Sequence, residues 1–224
     1  MPAETHYINV HTHHFPAREG ECIVYSQFLQ KDFPGNRSEQ EFFSVGLHPW
    51  HVREISLAEL PMLLSQKVPY PGVVAIGEVG LDKAKGNDLE YQKKLFRLQS
   101  KFAEERGVPV IIHCVKAFSE LLELHQQWHP KVPWVVHGYS SSPEMALDLC
   151  DKGLYLSFGA AIFQNKKARE SLEKVPAAQF FLETDEADVT IEEIYAAAAE
   201  IRQMPMNDLK LQIKENFKAC FANG

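Results

Sequence analysis

Short runs of β-branched and aromatic residues recur along the chain, set apart by polar stretches. They fall at 7–11 ("YINVH"), 22–26 ("CIVYS"), 42–48 ("FFSVGLH"), 73–78 ("VVAIGE"), 109–114 ("PVIIHC"), 133–138 ("PWVVHG"), 154–159 ("LYLSFG") and 179–185 ("QFFLETD"). Each has the length and composition of a buried strand, so eight strands are predicted. From the third run onward the intervening segments take a helical period. Ser56 and Glu59 form a capping box ahead of "LAELPMLLSQ". Leu89, Leu95, Leu98 and Phe102 mark one side of a helix that Gly107 stops. Ser142 and Pro143 supply an N-cap and first helical position, and Thr190 with Glu193 opens another helix. Leu209, Ile213 and Phe217 stripe the last one.

Strands alternating with helices predict an α/β fold with a parallel sheet. Eight of them predict a (β/α)8 TIM-like barrel in a single domain over residues 1–224. The first two connections depart from this plan. "THHFPAREGE" and "QFLQKDFPGNRSEQE" are polar and broken by Pro and Gly, so both βα connections are expected to be shortened and to lack regular helices. Ile8, Val10 and Val24 are read as outward residues without helical cover. Loops, or a second subunit in a homo-oligomer through that side of strands 1–2, must then cover them.

At 45% hydrophobic residues the chain can bury a substantial core, and its net charge of −7 argues against a general basic nucleic-acid binder without excluding a local basic patch. The four cysteines are scattered, as expected in a reducing compartment. No basic-then-apolar leader and no apolar run of about 20 residues is visible, so a cytoplasmic protein that does not enter membranes is expected.

The chemistry concentrates at strand ends. Alternation along a strand places Asn9, His11 and His13 on one face, which by itself is a weak metal signal. Glu78 ends the fourth predicted strand, His113 the fifth, His137 the sixth and Asp185 the eighth. All therefore reach the C-terminal face, where barrel enzymes build their sites. Six such groups facing a dry core unpaired would be expensive, and a cation resolves the expense. Four imidazoles and two carboxylates without a thiolate suit Zn, Mn, Mg, Fe or Ni. Six ligands exceed what one catalytic ion with an open position needs, and they suit two divalent ions bridged by a carboxylate.

The ordered set "HTH", "GLHPW", "GEVGLD", "VIIHC", "VVHGYS" and "LETD" resembles the TatD family of metal-dependent hydrolases, of the amidohydrolase barrel type, over nearly the whole chain. The resemblance implies that His11, His13 and Asp185 hold one ion, that His113 and His137 hold the other, and that Glu78 bridges them. It also implies hydrolysis of phosphodiester bonds, as by a deoxyribonuclease or exonuclease acting on DNA, with Asp185 orienting or deprotonating the attacking water. Three positions depart from the family's pattern. Asn9 stands where an acidic residue is usual, Val115-Lys116-Ala117 replaces Arg-Asp-Ala, and Glu186 follows Asp185 in place of proline. Loss of that Arg removes a bidentate phosphate fork, which Lys116 replaces only as a point charge. The expected substrate is nucleic acid or a phosphorylated small molecule. The alternative is an amide, ester or lactone in a small metabolite, and the remaining one is a non-enzymatic metal-binding barrel.

Around this core, His48, Lys116, Lys166 and Lys167 are the candidates for substrate contact. His51 is read as surface, His14 as packed or solvated, and His125 with His129 as structural. Asp82 is read as a loop cap and Glu183 as an acceptor behind the ligands.

Overall fold

A computed structural model describes residues 6–85 and 88–221. All eight expected strands form: β1 (Tyr7–Thr12), β2 (Glu21–Phe28), β3 (Glu41–Gly46), β4 (Val73–Asp82), β5 (Val110–Val115), β6 (Trp134–Val136), β7 (Tyr155–Phe158) and β8 (Phe180–Leu182). They pair in chain order and in parallel throughout, giving a nearly closed TIM-type barrel. The helices are α1 (Leu60–Lys67), α2 (Leu89–Arg106), α3 (Phe118–Trp128), α4 (Pro143–Asp151), α5 (Lys166–Lys174), α6 (Ile191–Arg202) and α7 (Met206–Phe221). Their ends follow the caps read from the sequence. Ser142 accepts from the Met145 amide at the start of α4, Gly107 closes α2 in a left-handed conformation, and Thr190 and Glu193 complete a capping box on α6. Ser56 and Glu59 also bond reciprocally, but they head a turn before α1. The first two connections carry no helix, as their composition requires. No helix among the described residues is long and apolar enough to cross a membrane.

The register of β1 corrects the expectation for Asn9. Ile8 lies opposite Cys22 and Asn9 opposite Ile23, yet Thr12 lies opposite Tyr25. Val10 and His11 together therefore face Val24 alone, which is a β-bulge. The extra residue turns the strand over between Asn9 and His11. Asn9 shares a side with Thr12, and both bond the Thr184 hydroxyl, at 2.8 and 2.9 Å. Asn9 therefore does not lie beside the two histidines.

The same register reverses the reading of Ile8, Val10 and Val24. They are only 2%, 0% and 0% exposed within this one chain and belong to the core. The other side of β2 and β3, carrying Tyr25 and Phe43, is covered by the helix-free connections themselves. Phe15 packs on Tyr25 at 5.4 Å, and Phe33 packs on Phe43 at 5.2 Å and stacks on Tyr70 at 3.9 Å. Loops supply the missing cover, and these three residues give no reason for a second subunit. α7 adds to this, reaching from the base of β3 to the base of β8 through Phe42–Phe217 and Phe181–Phe221 contacts of 6.0 and 5.8 Å.

The barrel closes between β1 and β8 by mixed means. At the upper end the backbone pairs directly: the His13 N–H donates to Asp185 O and the Asp185 N–H donates to His11 O, both at 3.1 Å. Lower down, side chains replace the ladder. Tyr195 Oη accepts from the Ile8 N–H at 3.1 Å and donates to Ile8 O at 3.0 Å. Asn9 Oδ1 accepts the Thr184 N–H at 3.1 Å while its Nδ2 donates to Glu21 Oε1 at 2.8 Å. Buried backbone groups that have no strand partner are thereby satisfied.

Candidate metal centre

Small residues in β4 bring its neighbours close enough to build a site. A Cβ on Gly77 would lie 2.7 Å from Ile111 Cβ, and one on Gly80 (φ +152°) would collide with the His113 carbonyl. Only glycine lets β4 run this close to β5. Between these two glycines the Glu78 side chain enters the mouth of the barrel.

Glu78 is buried, and its two oxygens face different sets of imidazoles. Oε1 lies 3.0 Å from His48 Nε2 and 2.8 Å from both His113 Nδ1 and His137 Nε2. Oε2 lies 3.4 Å from His11 Nε2 and 3.5 Å from His13 Nε2. Asp185 Oδ1 stands on the same side, 3.5 Å from His11 Nε2 and 3.6 Å from His13 Nε2. All six residues that the sequence singled out as ligand types therefore converge, and His48 joins them. Burial pushes the Glu78 carboxyl up, but His137 and the other imidazoles outweigh it and hold it well below the ordinary carboxylate range. Burial also works against a charged His137, yet the Glu78 and Glu183 carboxylates keep it well above the ordinary imidazole range. Asp185 has the same balance of burial against the imidazoles of His11 and His137, and is brought down to about 2.

The donor set fits divalent cations. Three groups have ligand atoms within 4.8 Å of one another: His11 with His137 and Asp185, His11 with His13 and Glu78, and His48 with Glu78 and His113. Both ring nitrogens of His11 are buried without a hydrogen-bond partner, which is costly in a dry interior unless a cation takes the lone pair.

Behind these groups stand two further carboxylates. Asp82 Oδ2 lies 3.2 Å from His113 Nε2 and accepts the Trp50 Nε1–H at 2.6 Å, while its Oδ1 caps the amides of Ala84 and Lys85. Burial raises the Asp82 carboxyl, and the Trp50 and His113 hydrogen bonds more than reverse this. Glu183, fully buried, accepts the Gly138 N–H at 2.7 Å and lies 3.4 Å from His137 Nδ1. Each carboxylate accepts from the ring nitrogen that faces away from Glu78 and so turns the other nitrogen toward the barrel mouth. His48 is oriented by the backbone: its Nδ1 accepts the Trp50 N–H at 3.1 Å, so its Nε2 carries the proton toward Glu78. Burial lowers the His48 pKa, which keeps the ring neutral.

The cavity over these groups, about 180 Å³, is lined by His13, Phe28, His48, Trp50, His51, Glu78, His113, His137, Asp185 and Glu186. Phe28, Trp50 and Glu186 are not among the site residues singled out in the sequence, although Trp50 shares a loop with His48, Phe28 ends β2 and Glu186 follows Asp185. The expected lysines lie elsewhere. Lys166 is exposed and pairs with Glu170 at 3.6 Å in a separate surface cleft. The Lys167 amide caps onto Asn165, and Lys116 is exposed at a left-handed turn (φ 55°). His14 is exposed with Nε2 3.2 Å from Ala187 O, while His51 pairs with Glu54 at 2.6 Å. His125 and His129 join no donor group among the described residues.

The model of TatD-related DNases matches residues 34–222. The chain belongs to this family of metal-dependent hydrolases. Among its TatD relatives, an uncharacterized metal-dependent hydrolase, YjjV of Escherichia coli, is 28% identical over 92% of this chain and 84% of that protein. A 3'-5' ssDNA/RNA exonuclease, TatD of Citrobacter koseri, is 31% identical over 63% of this chain, the match spanning 56% of the relative's length. The solved structure of YjjV superposes with a TM-score of 0.83 at 24% identity, covering 98% of this chain and 99% of that one. TatD membership and the barrel fold thus agree with the strand-end chemistry.

Proposed function

We propose that this TatD-family enzyme hydrolyses phosphodiester bonds with two divalent ions, trimming the 3' end of single-stranded nucleic acid. The observation that carries the proposal is Glu78, whose two oxygens each face a separate set of imidazoles. In this reading His11, His13 and Asp185 would hold one ion, His113 and His137 would hold the other, and Glu78 would be shared between them. Such ions supply Lewis-acid stabilisation of charge growing on phosphate oxygens and make water acidic enough to attack near neutral pH. The chain supplies the rest. Asp185, on the cavity wall and half exposed, accepts the proton of the attacking water at its carboxylate. Asp82 and Glu183 fix the rings of His113 and His137, so no reorientation accompanies the reaction. His48 Nε2–H holds Glu78 Oε1 in place. The exonuclease naming of TatD relatives supports the substrate class.

The test combines elemental analysis of the purified protein with turnover of a labelled single-stranded oligonucleotide. Divalent-dependent shortening from the 3' end is expected, falling at least about 100-fold in Glu78→Ala and in Asp185→Ala. Turnover retained in either variant would sink the mechanism.

One observation favours a second reading. Among the described residues no Lys or Arg lines the cavity, which also suits an uncharged amide, ester or lactone of a small metabolite. Cleavage of such a panel with no phosphodiester turnover would select it.

A further inference from the structure

Two aromatic residues at the barrel mouth stand outside the hydrophobic core. Phe28, the last residue of β2, is half-buried, and Trp50 is 46% exposed; neither belongs to the core cluster. The neighbours of Phe28 are polar: His13 stacks on it at 5.7 Å, His51 meets it edge-on at 5.8 Å, and the Lys31 ammonium sits 4.9 Å from the ring centre. An aromatic ring held among two imidazoles and an ammonium, outside the core cluster, is not accounted for by core packing.

The cavities give this ring a place in the site. Phe28 and His51 line the central cavity and also a second one, of about 140 Å³, completed by Gln30, Lys31 and Glu54. The two spaces adjoin along the Phe28–His51 wall. The second space offers the Phe28 ring, whose face opens to a stacking partner when the exposed Lys31 side chain swings off it, together with that ammonium, a primary amide and a carboxylate, with Gln30 Nε2 bonded to Glu54 Oε2 at 2.8 Å and His51 Nδ1 2.6 Å from Glu54 Oε1. A flat heteroaromatic group with donors and acceptors on its edge matches that set, since every base has a face to stack and an edge to hydrogen-bond.

We infer that Phe28, with Gln30, Lys31 and Glu54, forms a nucleobase subsite beside the metal centre. It receives the base of the nucleotide whose phosphate lies over Glu78 and Asp185. This inference rests on the phosphodiester reading for the position of the phosphate, but the subsite can be measured without turnover.

The experiment compares equilibrium binding of deoxyadenosine 5'-monophosphate and deoxyribose 5-phosphate to the full chain supplied with Mn²⁺, by titration calorimetry. The base is expected to tighten binding at least about tenfold. Phe28→Leu, which keeps an apolar side chain but removes the ring, is expected to bring the ratio near one, and Phe28→Tyr to restore it. Equal affinities in the native protein, or a ratio unaltered in Phe28→Leu, would overturn the subsite. Parallel turnover of a single-stranded oligonucleotide reads the hydrolytic proposal separately. A protein that prefers the base-bearing ligand yet cleaves no phosphodiester keeps the subsite and loses the nuclease assignment.

Discussion

An imidazole gives a lone pair to a cation through one ring nitrogen only, so the group that bonds the other nitrogen decides which way the ring is presented. For His113 that group is Asp82, and for His137 it is Glu183. Removing the charge while keeping the shape tests this directly. Asp82→Asn and Glu183→Gln are each expected to weaken divalent-ion binding by about 10- to 100-fold, measured by competition with a chromophoric chelator. Unaltered affinity in both variants would show that the rings are positioned by packing alone. These two residues also show the reach of residue-level reading. Asp82 is legible as a cap from its place in "GLD" after Glu78, and Glu183 as an acceptor because it shares the parity of Asp185 two residues on. Trp50, which ties Asp82 to His48, gave no such signal, since its role depends on a loop folding back over β4.

The β1–β8 seam is the weakest-laddered junction of the barrel, and Asn9 spans it with two hydrogen bonds to Thr184 while donating a third to Glu21 at the start of β2. Asn9→Ala would leave the Thr184 N–H unpaired and remove the donor on Glu21, both buried. A loss of about 2–4 kcal/mol in unfolding free energy is expected, at about 1–3 kcal/mol per stranded group. Urea denaturation measures it, and an unaltered midpoint would mean that water takes over both partners. The seam also shows what an isolated strand cannot reveal. All eight strands were legible from β-branched runs, and most helix starts from their caps. The missing helices were legible too, because Pro, Gly and charge leave no amphipathic face. The β1 bulge was not legible, because two residues facing one is a property of the pairing with β2. Reading strict alternation through it placed Asn9 with the histidines and turned Ile8, Val10 and Val24 outward. Lys166 and Lys167 open α5 after a short 3-10 turn, and neither lines the cavity over Glu78.

At the scale of the molecule, the proposed ligands come from β1, β4 and β5 and from the residues just past β1, β6 and β8. His11, His13 and Asp185 lie on the two sides of the seam that closes the barrel, and an ion held by them would join chain segments 172 or more residues apart. Metal binding and barrel closure are therefore expected to be coupled, since a ligand set complete only in the folded state stabilises that state by mass action. At a free ion concentration about 100 times the dissociation constant the gain is about 2.7 kcal/mol. In a chain of this size that raises the melting temperature by about 5–10 °C. Thermal denaturation with Mn²⁺ or Zn²⁺, and again after chelation, measures the shift. In Asp185→Ala most of the shift should vanish even where the metal-free protein melts normally, because the seam then lacks one of its ligands. Identical melting with and without ions in the native sequence would mean that the donors gather without binding metal, and the two-ion reading would fall with it.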